Sequence, residues 1–222
     1  LELKWEVNRF PNILFRGRTR DVKLDRFVIG AIDTEGSLTQ DAVQLKHLGI
    51  ENSAGRVRLG ETSLSRIDDW KFTTTVNSEG LELKQLLMNV TVPEIPLHLD
   101  ISGSLPCAGK FRPQFSMSCK GKLFGANLSV NSGGERKFPI VDLERFSAQG
   151  EVSVDTQKVT YQAQLQVGDN SRGSSSGVID YHQGFKIDYL GEQIDFKDVK
   201  NLALLRPDGL AKVKGTTEGT SQ

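Results

Sequence analysis

The chain has 222 residues, 37% of them hydrophobic, and its 28 Lys and Arg residues balance 28 Asp and Glu. With no net charge there is no long-range field to gather nucleic acid, which sets that class of partner aside. The apolar fraction suffices for one buried face per strand but not for the two-sided burial of a parallel α/β sheet, and no apolar run approaches the roughly 18 residues that span a bilayer.

From the first residues the dominant signal is alternation of period two, which sends successive side chains to opposite faces of a strand. Leu1, Leu3 and Trp5 begin it, Pro11 and Asn12 break it, and Ile13–Arg18 resumes it. Glu35-Gly36, Asn52–Gly55, Asn77–Gly80 and Asn131–Gly134 read as turns, because Gly and Asn tolerate positive φ. Trp70, Phe72, Thr74 and Val76 share one strand face, opposite Lys71, Thr73 and Thr75. Leu83, Leu86, Leu87 and Val90 have helical spacing, so this stretch is either a two-turn helix over the apolar face or a strand running into an irregular loop. Pro93 and Pro96 would end the helix, and Phe196, Val199 and Leu202 repeat its spacing. Ile95, Leu97, Leu99 and Ile101 alternate with Pro96, His98, Asp100 and Ser102. Val159, Tyr161, Ala163, Leu165 and Val167 alternate with Thr160 and three glutamines. One wet face and one dry face per strand is the pattern of antiparallel sheets covered on one side. The tract Ser171–Gly177 reads as a long solvated turn by composition.

A module of roughly 115 residues recurs. Val22–Phe27 is echoed at Val141–Phe146, Val43–Leu45 at Val159–Tyr161, and Asn52–Gly55 at Asn170–Gly173. Trp70–Phe72 is echoed at Phe185–Ile187, Leu81–Lys84 at Ile194–Lys197, and Ile101–Gly103 at Val213–Gly215. This divides the chain into lead-in strands (1–21), a first module (22–140) and a second module (141–222) within one continuous body. No counterpart of Leu105–Val130 follows Gly215, so the expectation is a segment of a longer protein whose anchor or export signal lies elsewhere.

Little here carries chemistry. Gly173–Gly177 formally matches G-x-S-x-G, but its flanks are polar and no helix pattern follows, unlike a nucleophile elbow. His47, His98 and His182 lack partners at metal-ligand spacing, and Asp68-Asp69 lacks an EF-hand context. No catalytic residue, metal or cofactor is therefore assigned, and the chain reads as a non-enzyme. Cys107 and Cys119 are symmetric about Pro113, so a hairpin with its apex there sets them opposite one another. An oxidising compartment would join them, and a reducing one would leave two small apolar residues. Asn89-Val90-Thr91 and Asn127-Leu128-Ser129 match the short glycosylation pattern.

Pro96–Gly103, Leu105–Pro113, Phe115, Cys119–Leu123, Ile194–Leu202 and Gly209–Gly215 carry a cadence that resembles the AsmA-like and TamB proteins of Gram-negative bacteria, repeating β-groove, bridge-like lipid-transfer proteins. The resemblance implies an all-β fold, an elongated antiparallel sheet curled into a taco-shaped groove, to which the helical spacings at Leu83–Val90 and Phe196–Leu202 would add short helices at its edge. It also implies a periplasmic chain held in the inner membrane by a segment absent here, moving phospholipid towards the outer membrane and supporting outer-membrane biogenesis.

The residues support that shape on physical grounds, since one apolar face per strand must be covered by a second sheet, by curling, or by a ligand. The groove lining is expected to include Leu45, Trp70, Phe72, Leu97, Leu99, Ile101, Tyr161, Leu165, Phe185, Ile187 and Phe196, with phospholipid acyl chains as partner. Two alternatives remain open. One is a docking scaffold whose strand edges receive segments of outer-membrane β-barrel proteins; the other is a filled two-sheet sandwich for adhesion.

Overall fold

A computed structural model describes residues 2–4, 12–24, 27–67, 69–89, 97–131, 139–206 and 208–220. The described strands form a single antiparallel sheet, as the alternation predicts. In chain order they are β1 (Glu2–Lys4), β2 (Asn12–Leu24), β3 (Phe27–Leu38), β4 (Ala42–Asn52), β5 (Gly55–Leu59), β6 (Thr62–Ser65), β7 (Lys71–Glu82), β8 (Leu97–Lys110), β9 (Ser116–Asn131), β10 (Pro139–Asp155), β11 (Lys158–Val167), β12 (Ser171–Asp180), β13 (Gly184–Asp195) and β14 (Leu210–Thr220). Each strand lies beside the next in sequence, except that β5 and β6 occupy one lane between β4 and β7. Thirteen lanes at about 4.8 Å make a body roughly 58 Å long, measured across the strands.

Two short helices interrupt the meander at equivalent places: α1 (Leu83–Asn89) follows β7, while a 3-10 turn (Phe196–Asp198) and α2 (Lys200–Leu205) follow β13. Counting β5 and β6 as one lane, the order of three strand lanes, helix and strand seen from β4 to β8 therefore recurs from β11 to β14. Not every echo in sequence falls on equivalent structure. Val22–Phe27 straddles the β2–β3 connection, whereas Val141–Phe146 lies wholly inside β10. Leu81 faces Ile101 but Ile194 faces Ala211, so the Val213–Gly215 echo is two residues out of register, a slip that keeps each side chain on its face.

Three stretches read as turns in the sequence are strand. Glu35-Gly36 lies inside β3, Asn77–Gly80 inside β7, and Ser171–Gly177 forms most of β12. The reason is visible across the ladder. A glycine leaves a hole on its face of the sheet, and a large side chain from the next strand lies in it. A Cβ at Gly36 would come within 2.7 Å of Phe15, and one at Gly177 within 2.6 Å of Tyr161. The same pairing sets Phe72 over Gly109, Phe146 over Gly125, Tyr189 over Gly215 and Phe185 over Gly219. Rings covering cross-strand glycines offset the poor strand propensity of glycine. The Asn52–Gly55 stretch does turn, with Asn52 Oδ1 accepting from the Ala54 amide at 2.9 Å.

A line of bulges runs across the sheet near its helix-bearing rim. The register shifts at Arg20-Asp21, Glu79-Gly80 and Glu192-Gln193 and at Asn127 in β9, where two residues face one of β8, and beside Asn127 the consecutive Glu144 and Arg145 of β10 are both exposed. Asp21, Gly80 and Asn127 take φ of 56°, 58° and 53°, the left-handed conformation that such bulges use. Bulges bend strands, and in register across many lanes they crease the sheet so that it curls.

Candidate functional site: the inner face of the curled sheet

The registers define two faces. On the inner one, Phe72, Thr74 and Val76 of β7 face Gly109, Cys107 and Leu105 of β8. Cys119, Leu123 and Gly125 of β9 continue the row to Val152, Ala148 and Phe146 of β10. Tyr161, Leu165 and Val167 carry it on through β11, and Phe185, Ile187 and Tyr189 through β13. Between the crease and the hairpin tips, the register places no charged side chain on the inner face of any described strand, although a quarter of the chain is charged. The charges stand on the outer face, where His47 pairs with Asp33, Arg56 with Glu51, and Arg16 with Glu35. The His47 contact holds the Asp33 carboxyl below its ordinary pKa, and the Arg56 contact does the same for Glu51.

Polar groups on the inner face are satisfied locally. Thr62 and Thr74, both buried, share a hydrogen bond of 2.6 Å. Tyr161 Oη meets Ser175 Oγ at 3.0 Å, and Ser175 donates to the Asp188 carbonyl at 3.1 Å. Burial keeps the Tyr161 phenol above its ordinary pKa, so the group stays uncharged. Ser175, the central serine of the G-x-S-x-G match, is thus a mid-strand residue engaged on both sides.

Among the described residues no second sheet covers this face. Every substantial strand–strand contact joins neighbours in the sheet. The accessible surface is 14470 Å², against about 10,000 Å² for a compact globule of this mass. Among the described residues, cover comes at the helix-bearing rim. There Val199 and Leu202 lie on Leu143, Val167, Phe146, Leu128 and Ile194. The sheet's inner face is otherwise half-buried at most positions, shielded by its own curl.

Most of the expected lining residues come together there. Leu45, Phe72, Leu99, Ile101, Tyr161, Leu165, Phe185 and Ile187 are buried or half-buried, and the registers put those between crease and tips on the inner face. Trp70 does not join them. It sits in the turn before β7 with φ of 56°, its ring flanked by Arg66 and Arg112 at 5.7 and 5.8 Å. Alternation cannot reveal that a strand starts one residue later. Phe196 also leaves the strand rows, lying in the 3-10 turn against Gly209. Leu97 pairs with Val130 through its backbone, and its side chain lies outside the described residues, as do Asp68, Val90, Pro93, Pro96 and most of the Asn131–Gly134 turn. Cys107 and Cys119 face one another across β8 and β9 and are joined by a disulfide.

The expected lining left out Leu143, Phe146, Val167 and Val199, which belong to the buried apolar cluster at the helix-bearing rim, although Val167 was read on a dry strand face and Val199 in a helical spacing. Its signal was present but broken, because two consecutive exposed residues, Glu144 and Arg145, interrupt the alternation between Leu143 and Phe146. Among the described residues no group of three or more His, Cys, Asp or Glu could hold a metal, and no helix is long and apolar enough to cross a membrane. No family model, curated protein or solved structure matches the chain.

Proposed function

We propose that the chain is a segment of a lipid conduit, its inner face holding phospholipid acyl chains while headgroups stay in water. The observation that carries this reading is a face, roughly 58 Å long, that among the described residues has no covering sheet and no charged side chain between crease and tips. An apolar face of that extent must be covered, and each acyl CH₂ placed there contributes about 0.8 kcal/mol. The lining asks for no particular residue, only for size and the absence of charge. Glycines under rings give a smooth floor without polar hooks, suited to chains that slide rather than dock. The wider setting, a periplasmic path between inner and outer membrane, belongs to the same proposal and rests on the sequence resemblance alone.

The test is mass spectrometry of organic extracts from the purified chain beside a Leu99→Glu variant, both checked for strand content by circular dichroism. Phospholipid retained by the native chain and lost from the variant is expected. Absence of lipid from both folded proteins would overturn the reading.

A further inference from the structure

Among the described residues β14 is hydrogen-bonded on one side only, to β13, so its other side is a sheet edge of 11 residues. Natural sheets blunt such edges with proline, bulges or inward-pointing charge. β14 contains no proline, and none of its residues takes positive φ. Its charges, Lys212, Lys214 and Glu218, share the outer face with Lys186 and Asp188 of β13.

Edge lysines also discourage pairing, and here they select one partner and register. When β14 runs antiparallel to β14 of a second copy about a two-fold at Gly215, the strands overlap over their whole length. Lys212 of each copy then faces Glu218 of the other, and Lys214 faces Thr216. Glu218 already faces Lys186 across β13, and Lys212 lies opposite Glu192-Gln193, so the pairing extends a row of alternating charge. A two-fold at Lys214 sets that lysine against itself, one at Val213 sets Lys212 against Lys214, and a parallel in-register pair stacks like on like. A two-fold at Thr216 opposes Lys214 to Glu218 but leaves Leu210 and Ala211 unpaired. On the inner face, Val213, which is 45% exposed, meets Thr217, a β-branched pair. Gly215 meets Gly215 there, which leaves room for the two Tyr189 hydroxyls, each lying over its own glycine. The other open edge, β2 beyond Leu14, presents Arg16, Arg18 and Arg20. Three arginines against the lysines of β14 suit a head-to-tail filament poorly.

We propose that β14 is a dimerisation edge, joining two copies of the chain through a β14–β14 pairing centred on Gly215, with both inner faces on the same side of one continuous sheet. The pairing does not depend on what the inner face holds, so it stands or falls separately from the conduit reading. The experiment is sedimentation velocity of the purified 222-residue chain over a concentration series, with strand content checked by circular dichroism. A reversible dimer is expected. Lys212→Glu and Glu218→Lys should each weaken it roughly tenfold, because each turns two opposed pairs into like charges, and the two substitutions together should restore it. Both residues are exposed, so the single variants keep the fold. Added salt should narrow the differences. Lys214→Glu combined with Glu218→Lys should bring no such rescue. A native chain that stays monomeric, as when another segment of the same chain takes this edge, would overturn the proposal. So would single variants that dimerise like the native chain, a Lys212 and Glu218 double variant that stays weak, rescue by the Lys214 exchange, or a dimer that dissolves instead with Leu204→Ser.

Discussion

Asp198 holds Ser171 from two directions: its Oδ2 accepts from the Ser171 amide at 2.8 Å and from the Ser171 hydroxyl at 2.7 Å. The hydroxyl oxygen in turn accepts from the Asp195 amide at 2.8 Å, and the Asn170 amide reaches the same carboxylate at 3.2 Å. Ser171 is fully buried. These bonds clasp the β11–β12 turn to the 3-10 turn that launches α2 over the inner face.

Ser171→Ala removes the hydroxyl and leaves the half-buried Asp195 amide without that acceptor, so a loss of about 1–3 kcal/mol is expected in urea denaturation. Because the clasp seats α2, faster hydrogen exchange should appear over residues 196–205 before it appears in β9 or β10. Uniform exchange across the sheet would mean that the clasp does not control the helix.

Phe146 lies over Gly125 so closely that a Cβ there would sit 2.2 Å from the ring. Gly125→Ala should therefore cost about 1–3 kcal/mol through forced displacement of the ring. Adding Phe146→Leu should recover part of that loss, giving a favourable coupling in a double-mutant cycle. Additive losses would show that ring and glycine do not interact.

Leu165 and Gln164 are chain neighbours on opposite faces of β11, half-buried and exposed respectively. If acyl chains lie on the inner face, Leu165→Glu should abolish lipid retention, whereas Gln164→Glu should leave it intact. Equal retention by the two folded variants would move the lipid, or the face.

Asp155 accepts from the Gln157 and Lys158 amides at 2.7 and 2.9 Å, and Asp180 from the His182 and Gln183 amides at 2.9 and 2.8 Å. These bonds hold both carboxyls below their ordinary pKa. A depressed carboxyl stabilises the fold fully above its unfolded value and less as pH falls through its folded one. Melting temperature should thus fall below about pH 4, and less steeply when both residues are Asn, which keeps an acceptor without titrating. An unchanged acid limb in that variant would assign the loss to other groups.

Strand alternation along β7, β8 and β11 is a local property, fixed by the backbone period of two, so sequence alone determined that the chain is antiparallel sheet with one dry face and named much of that face. The helical spacing at Leu83–Leu87 was legible too, and α1 forms there. Glycine misled, because read locally it signals freedom and hence a turn. Only the neighbouring strand shows that Gly36, Gly177 and Gly125 are floors for Phe15, Tyr161 and Phe146. The paired exposed residues Glu144-Arg145 and Glu192-Gln193 break the strand alternation, and the break takes its meaning from the irregularities lying beside it in other lanes. Whether a dry face meets a second sheet, closes on itself or stays open depends on bends summed over many lanes. Local period carries no record of that sum, so the tertiary structure alone decided it.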